Sequence, residues 1–249
     1  MGEQDTGEFC GLQLAGGHIT LPFMELNYSD PNYQEAMRLY LSGDWSEAQS
    51  AFLELSKTYT ESPFILMVLG NINYSIGQLD RSVELYNESI RLDPKYGIAY
   101  YKLGVCYYRM GKLDEALSAF SKVVDLKSQS HAMASYFVGL IHFFMGNDDK
   151  AEEGFSAFRK TSPESMIANY YLAQIKIKRK KYTDALELLG ELAEATPHFA
   201  EVHYLLGVSH YGVHNNTEAI KSLQKALEMN PEDERARTKL MLLTDVQWP

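Results

Sequence analysis

The chain has 249 residues, of which 45% are hydrophobic and 22% charged, a composition typical of folded soluble domains. Acidic residues (33) outnumber basic residues (23), and the formal net charge of −10 disfavours nucleic acid and anionic membranes as partners. No uninterrupted apolar run approaches the roughly 18 residues that a transmembrane helix needs, so the sequence predicts no membrane span. The two cysteines, Cys10 and Cys106, are too few for a disulfide framework.

Residues 1–28 are interpreted as an N-terminal extension, partly irregular, that lacks helical periodicity before its apolar end. Glu3 and Asp5 stand where a signal peptide carries basic residues, so we expect a cytoplasmic protein. A mature exported chain whose signal has been removed would have the same features, and this alternative stays open. The apolar stretch PFMEL at residues 22–26 is interpreted as a cap on the first helix; docking into a groove of its own chain or of a second copy is the alternative.

Glycines recur along the chain with a period of 34 residues. Gly43, Gly77 and Gly111 are each 34 residues apart, and Gly146 follows after 35. The same spacing holds for two further sets, Ala116, Ala151, Ala185 and Ala219, and Pro163, Pro197 and Pro231. The extra residue falls beside the polar stretch KSQSH, where a loop can absorb it. This self-similarity divides the chain into six units: 29–62, 63–96, 97–130, 132–165, 166–199 and 200–233.

In each unit, an apolar segment of about 14 residues precedes a turn, and a second apolar pattern with i, i+4 spacing follows it. This pattern predicts two amphipathic helices joined by the turn. Four glycines at one register of the first helix predict close helix approach, because glycine inside a helix costs about 1 kcal/mol relative to alanine. They are Gly70, Gly104, Gly139 and Gly207. One unit cannot bury its apolar face alone, so neighbouring units must stack into a superhelix.

Residues 234–249 follow the last unit and predict one further amphipathic helix. We interpret it as a C-terminal capping helix that covers the last repeat with Leu240, Leu243 and Trp248. Such caps are needed in repeat arrays, because the terminal unit has no neighbour on one side.

The third unit carries the clearest pattern, which runs Tyr100, Leu103-Gly104, Tyr107, then Ala116 and Phe120. This pattern resembles the tetratricopeptide repeat, and the resemblance extends over roughly residues 29–233. The first unit departs from it at Glu35-Ala36, and the fifth at Ala173 and Lys180. The resemblance implies an all-α fold: a right-handed superhelical solenoid of six helix-turn-helix units plus the capping helix.

The third unit holds two parallel tyrosine stripes. Tyr100 and Tyr107 are predicted to pack on the second helix and the next repeat. In the family, the positions of Tyr101, Val105 and Tyr108 look into the concave groove of the superhelix. Partly exposed tyrosines there suit peptide binding. Tyrosine is also common at these positions throughout the family, so its presence alone does not establish such binding. The predicted groove residues are Tyr33, Tyr40, Asn71, Tyr74, Tyr101, Tyr108, Tyr136, Tyr170, Lys178, Tyr204 and Tyr211.

One subclass of the family binds the C-terminal carboxylates of chaperones through Lys, Asn and Arg on successive first helices. At the corresponding positions of the first three units only Asn71 fits, beside Tyr33, Met37, Tyr101 and Val105. The resemblance therefore disfavours chaperone C-terminal carboxylate binding.

A dense basic run, IKIKRKKY at residues 175–182, lies at the end of a predicted helix. Cations are stabilised there by the helix dipole, which is the simpler interpretation. The alternative is an anchor for an acidic partner or a targeting signal, with Lys178 as the member directed into the groove.

The sequence contains no signature of catalysis: no nucleophile elbow, phosphate loop, HExxH or paired CxxC. His210 and His214 lie one turn apart, but no cysteine or carboxylate in register completes a metal site, so with His203 they are interpreted as packing or surface residues. We expect no enzyme activity, no cofactor and no metal.

These observations favour a protein-protein interaction scaffold or adaptor that binds a peptide or helix of an unidentified partner protein in an aromatic concave groove. The alternative is a self-associating structural protein, a homo-oligomer in which the N-terminal segment docks in a groove. A concentration-dependent size that is abolished by deleting residues 1–28 would separate the second hypothesis from the first.

Overall fold

A computed structural model of the chain describes residues 26–244 and contains thirteen α-helices in that range. The first helices of the successive pairs are α1 (Pro31–Ser42), α3 (Pro63–Ser75), α5 (Gly97–Arg109), α7 (His131–Phe144), α9 (Ile167–Lys178) and α11 (Ala200–Gly212). The second helices are α2 (Trp45–Thr58), α4 (Leu79–Leu92), α6 (Leu113–Asp125), α8 (Asp148–Thr161), α10 (Tyr182–Ala195) and α12 (Asn216–Met229), followed by α13 (Glu234–Thr244). The all-α prediction is confirmed.

The helices pack in chain order, each against the helix before it and the helix after it. This sequential pairing is the arrangement of a tetratricopeptide solenoid, as predicted. His131, which the periodicity assigned to a polar loop, is instead the first residue of α7. Over the described residues, no helix combines the length and the apolar character needed to cross a membrane.

The capping helix is present as α13, which packs against α12. Its Ala236 is buried, and Leu240 and Leu243 pack against Leu223 and Ala226. Of the predicted contact residues, Trp248 lies outside the described residues, as does most of the N-terminal segment 22–26.

One position in the second helix of each repeat contributes a large side chain to the core. Its side chains are all fully buried, and each fills the space between the two helices of its own repeat. They are Phe52, Tyr86, Phe120, Phe155, Leu189 and Leu223. Over the described residues, the core is therefore a series of clusters along the solenoid rather than one central core.

Close approach at the helical glycines is confirmed. A Cβ atom on Gly70 would lie 2.5 Å from the Tyr86 ring, and one on Gly104 would lie 2.8 Å from the Phe120 ring. The same clash arises for Gly139 against Phe155 and for Gly207 against Leu223. In these four repeats, glycine in the first helix lets the large core residue of the second helix pack against the first helix's backbone.

The turns inside the repeats share one backbone conformation. Gly43, Gly77, Gly111 and Gly146 all have a positive φ between 74° and 84°. Lys180 and His214 occupy the same turn position in the last two repeats, with φ values of 58° and 60°. The turn geometry is therefore kept where the glycine is lost, at the cost of placing a side chain in the left-handed region.

Cys106 of α5 is fully buried, and its Sγ lies 3.5 Å from the Leu79 carbonyl oxygen. Burial raises the pKa of this thiol to about 11. The thiol therefore stays protonated at neutral pH and acts as a small core side chain.

Candidate partner-binding groove

The first three repeats enclose a cavity of about 290 Å³ on the face formed by their first helices. Four predicted groove residues from α1, α3 and α5 meet in its wall: Tyr40, Asn71, Tyr74 and Tyr101. The remaining wall residues are Ser75, Tyr86, Lys102 and Val105. We call this space the tyrosine cavity.

Asn71 is the hydrogen-bonding centre of the tyrosine cavity. Its Nδ2 donates to the Tyr40 hydroxyl at 3.2 Å and approaches the Met67 sulfur at 3.1 Å, while its Oδ1 accepts from the Tyr86 hydroxyl at 3.0 Å. The Asn71 amide is thereby committed to contacts within the protein. The Tyr40 oxygen accepts from Asn71, so its own O–H remains able to donate to a bound molecule.

Two cations border the tyrosine cavity. Lys102 lies in its wall, and the Arg109 guanidinium carbon lies 4.8 Å from the centre of the Tyr74 ring. Arg109 also donates to the Tyr74 backbone carbonyl at 3.1 Å. Between residues 26 and 244, neither Lys102 nor Arg109 forms an ion pair.

Aromatic packing fixes the middle of the groove. Phe137 stacks on Phe120 with ring centroids 4.8 Å apart, and the rings of Tyr101 and Tyr108 contact Phe137 at 6.2 and 5.4 Å. One repeat further on, Tyr171 stacks on Phe155 at 4.8 Å. The half-buried tyrosines Tyr101 and Tyr108 are thus held in place by their neighbours.

Phe137 and Tyr171 were missed by the sequence argument. Each follows directly after a predicted groove residue, Tyr136 or Tyr170, and the resemblance assigns no groove role to that position. The signal was available in the sequence, because both aromatic pairs occur at the same register of successive units.

The two ends of the predicted groove differ from its middle. Tyr33 is only 9% exposed, because Tyr28 and Phe64 pack against its ring, so it is not the partly exposed tyrosine that was expected. At the other end, the cations of α13 lie over the two tyrosines of the last repeat. Arg235 lies 4.5 Å from the ring centre of Tyr204, and Lys239 lies 5.0 Å from that of Tyr211.

Three cations of the basic run 176–181 pair with acidic residues at the start of α8. Lys176 pairs with Glu152 at 2.6 Å, and Arg179 pairs with both Glu152 and Asp149. Lys178 pairs with Asp148 at 2.7 Å. The ammonium group of Lys178, which was predicted to be directed into the groove, is therefore held by an acidic residue of the preceding repeat.

The first tyrosine stripe is less buried than expected. Tyr100 and Tyr107 are half-buried and line an open cavity of about 570 Å³ against α6. The facing positions of α6 are small or polar, among them Ser118 and Ser121, so they do not cover the rings. This cavity and the tyrosine cavity are lined by different residues of α5.

His203 of α11 and His214 of the turn that follows it have separate environments. His203 is buried, and its Nε2 lies 3.0 Å from the Pro197 carbonyl oxygen, whereas His214 is exposed at the turn. Across the described part of the chain, no cluster of three or more His, Cys, Asp or Glu residues is arranged to hold a metal ion.

The paired helices, the recurrent glycines and the groove define a class of protein, the helical repeat domains that mediate protein-protein interactions. Models of the TPR repeat match residues 70–111, and models of the tetratricopeptide repeat match 97–130, 139–198 and 200–233. The chain is a tetratricopeptide repeat protein. Proteins built of these repeats are typically non-catalytic interaction domains.

Individual relatives are distant. The chain is 23% identical over 193 residues to the anaphase-promoting complex subunit CDC16 of Saccharomyces cerevisiae, and 25% identical over 216 residues to subunit 3 of that complex from Schizosaccharomyces pombe. These alignments cover 75% and 85% of this chain but only 23% and 32% of the relatives, so the chain spans at most about a third of their length.

Solved structures share the fold. YrrB, described as a TPR protein with an unusual peptide-binding site, superposes with a TM-score of 0.70 at 20% identity and covers 77% of this chain and 98% of its own. The anaphase-promoting complex assembly Cut9–Hcn1 gives a TM-score of 0.53 at 18% identity, covering 87% of this chain and 43% of that one. At these identities the likeness establishes the fold alone.

Proposed function

We propose that this protein is a non-catalytic scaffold that binds a peptide or helix of a partner protein in its concave groove, with the tyrosine cavity as the principal contact. The observation that carries the proposal is the convergence of Tyr40, Tyr74 and Tyr101 from three successive repeats on one cavity. A ligand in this cavity touches three repeats at once, so its binding depends on the stacked solenoid.

The chemistry of the tyrosine cavity suits a protein segment. Tyrosine rings offer a large apolar contact area with few rotatable bonds, and their hydroxyl groups pair with backbone amides and carbonyls. Burial raises the pKa of Tyr101, so its hydroxyl remains neutral and able to donate a hydrogen bond. Tyr74 is further held by Arg109, which reduces the ordering cost of binding.

Two relatives support a protein ligand. YrrB is described as having a peptide-binding site, and Cut9 is described in complex with Hcn1. These statements concern those proteins. They make a peptide or protein segment the first class of ligand to test here.

The test compares three forms of the protein in capture experiments from cell extract: wild type, Tyr74→Ala with Tyr101→Ala, and Tyr100→Ala with Tyr107→Ala. The two double variants remove the same atoms, one pair from the tyrosine cavity and the other from the cavity beside α6. Circular dichroism and urea denaturation first establish that both remain helical and folded.

We expect a partner that is retained by wild type and by the Tyr100/Tyr107 variant and lost by the Tyr74/Tyr101 variant. Retention by the Tyr74/Tyr101 variant, with loss by the Tyr100/Tyr107 variant, would move the binding site to the cavity beside α6. Recovery of a second copy of this chain as the groove ligand would favour the self-associating alternative.

A further inference from the structure

Acidic residues are distributed unevenly between the two layers of the solenoid. The four central first helices, α3, α5, α7 and α9, contain no aspartate or glutamate. The second helices paired with them, α4, α6, α8 and α10, contain three or four each. In a chain with a formal net charge of −10, the groove layer is therefore the region that a negatively charged partner approaches with least repulsion.

The groove layer also carries uncompensated positive charge. Of the Lys and Arg residues on these four helices, Lys176 and Lys178 are paired with acidic residues of α8. Lys102 and Arg109, both on α5, form no ion pair within residues 26–244 and border the tyrosine cavity. On these four helices, the positive charge available to a partner therefore lies at this cavity.

An exposed apolar row continues from the tyrosine cavity along the groove. Ile98, Met133 and Ile167 hold equivalent positions near the starts of α5, α7 and α9 and are 38%, 41% and 45% exposed. Each precedes a groove tyrosine by three residues, so each row residue lies beside that tyrosine on the same helix face. Apolar side chains left exposed in register on three repeats offer a continuous contact surface.

We infer that the partner is a protein segment that combines carboxylate side chains with apolar ones. Its carboxylates contact Lys102 and Arg109, and its apolar side chains occupy the tyrosine cavity and the row of Ile98, Met133 and Ile167. This inference rests on the proposed function and adds the chemistry of the ligand. An acidic ligand is repelled by the carboxylates of the second helices and attracted by the two cations of α5, which favours the groove over the outer layer.

The experiment selects ligands from a library of random peptides displayed without a free C-terminus, so that a terminal carboxylate cannot contribute. We expect the enriched peptides to carry net negative charge together with aromatic or aliphatic residues. The best peptide is then labelled and titrated by fluorescence polarisation against wild type and three variants.

Lys102→Glu with Arg109→Glu is expected to weaken this peptide at least about tenfold, because attraction becomes repulsion at two positions. The matched control, Arg91→Glu with Lys122→Glu, makes the same charge change on exposed positions of α4 and α6 and leaves the affinity unchanged. Tyr74→Ala with Tyr101→Ala also abolishes binding.

Enrichment of neutral or basic peptides, or equal weakening by both charge reversals, overturns the acidic ligand. If such peptides still lose affinity in the Tyr74/Tyr101 variant, the groove function stands and only its proposed ligand chemistry is wrong. If the selected peptides bind the Tyr74/Tyr101 variant as tightly as wild type, the groove function itself fails.

Discussion

The buried Tyr86 hydroxyl donates a hydrogen bond to Asn71 Oδ1 at 3.0 Å and so connects the core of the second repeat to the wall of the groove. Tyr86 is the large core side chain that packs against Gly70, and burial strongly raises its pKa. Asn71 in turn donates to the Tyr40 hydroxyl of the preceding repeat. The position of a groove hydroxyl therefore depends on a core residue of the neighbouring repeat.

Replacement of Tyr86 by phenylalanine tests this connection. The ring keeps its packing, but Asn71 Oδ1 loses its donor, so we expect a loss of about 1 kcal/mol in the free energy of unfolding. We also expect weaker binding of a groove peptide, since Tyr40 is less firmly held. Urea denaturation and peptide titration measure the two effects. Tyr100→Phe, on the other face, is the control and should change neither.

Gly154 of α8 lies against the backbone of α7. A Cβ atom there would lie 2.6 Å from the Gly139 nitrogen, and main-chain atoms cannot move aside as a side chain can. We expect Gly154→Ala to lower the free energy of unfolding by about 2–3 kcal/mol. Gly190→Ala, in α10, is the matched control, because no atom lies within 4 Å of its added methyl group. It should instead stabilise by about 0.5–1 kcal/mol, and loss of stability there would contradict the packing explanation.

Lys180 has a φ of 58°, a conformation in which glycine avoids a steric cost. We expect Lys180→Gly to raise the free energy of unfolding by roughly 1 kcal/mol, despite removing a charge from the basic run. The reciprocal change, Gly111→Ala, introduces the same cost at φ 74° and should destabilise by a similar amount. Thermal denaturation measures the stability of both variants. Destabilisation by Lys180→Gly would show that the lysine side chain stabilises the fold by more than the backbone strain costs.

The ion-pair cluster between α8 and α9 makes stability depend on pH. The hydrogen bond from Lys176 is the main reason why the pKa of Glu152 lies below the ordinary value for a glutamate. A carboxyl group whose pKa is lower in the folded state stabilises above its unfolded pKa and loses that contribution as pH falls through the folded value. At neutral pH, the free energy of unfolding of wild type should exceed that of Glu152→Gln by about 1–2 kcal/mol.

The difference in the free energy of unfolding between wild type and Glu152→Gln should shrink as the pH is lowered below about 4.5. Urea denaturation at a series of pH values measures it. Glu153→Gln, an exposed neighbour that forms no ion pair among the described residues, provides the comparison and should differ little from wild type at any pH. A pH-independent difference for Glu152→Gln would indicate a packing effect instead.

The fold was predictable from the sequence because the repeat determines local contacts. Gly104 and Phe120 recur as a pair in neighbouring units, and each pair meets within a single helix hairpin. The same periodicity placed the groove face, since Tyr101 shares its helix register with Tyr136 and Tyr170. The loss of glycine at Lys180 did not alter the turn, since Lys180 adopts a positive φ as the turn glycines do.

What the sequence did not show depends on contacts between units. Lys178 and Asp148 are 30 residues apart, and only the stacking of α9 on α8 brings their charges together. The stacking of Phe137 on Phe120 likewise joins two repeats. Tyr33 is buried because Phe64 of the next repeat packs against it. Register within a helix predicts which face a residue occupies, but not how far the adjoining repeat covers it.

The most direct test of the groove uses photo-crosslinking, which needs no disruptive substitution of a tyrosine. A benzophenone amino acid replaces either Val105, in the wall of the tyrosine cavity, or Ser118, beside Tyr100 in the opposite cavity. After irradiation in cell extract, the crosslinked peptides are identified by mass spectrometry. The groove proposal predicts one partner segment attached at Val105 and none at Ser118. A segment attached at Ser118 and absent from Val105 would contradict it.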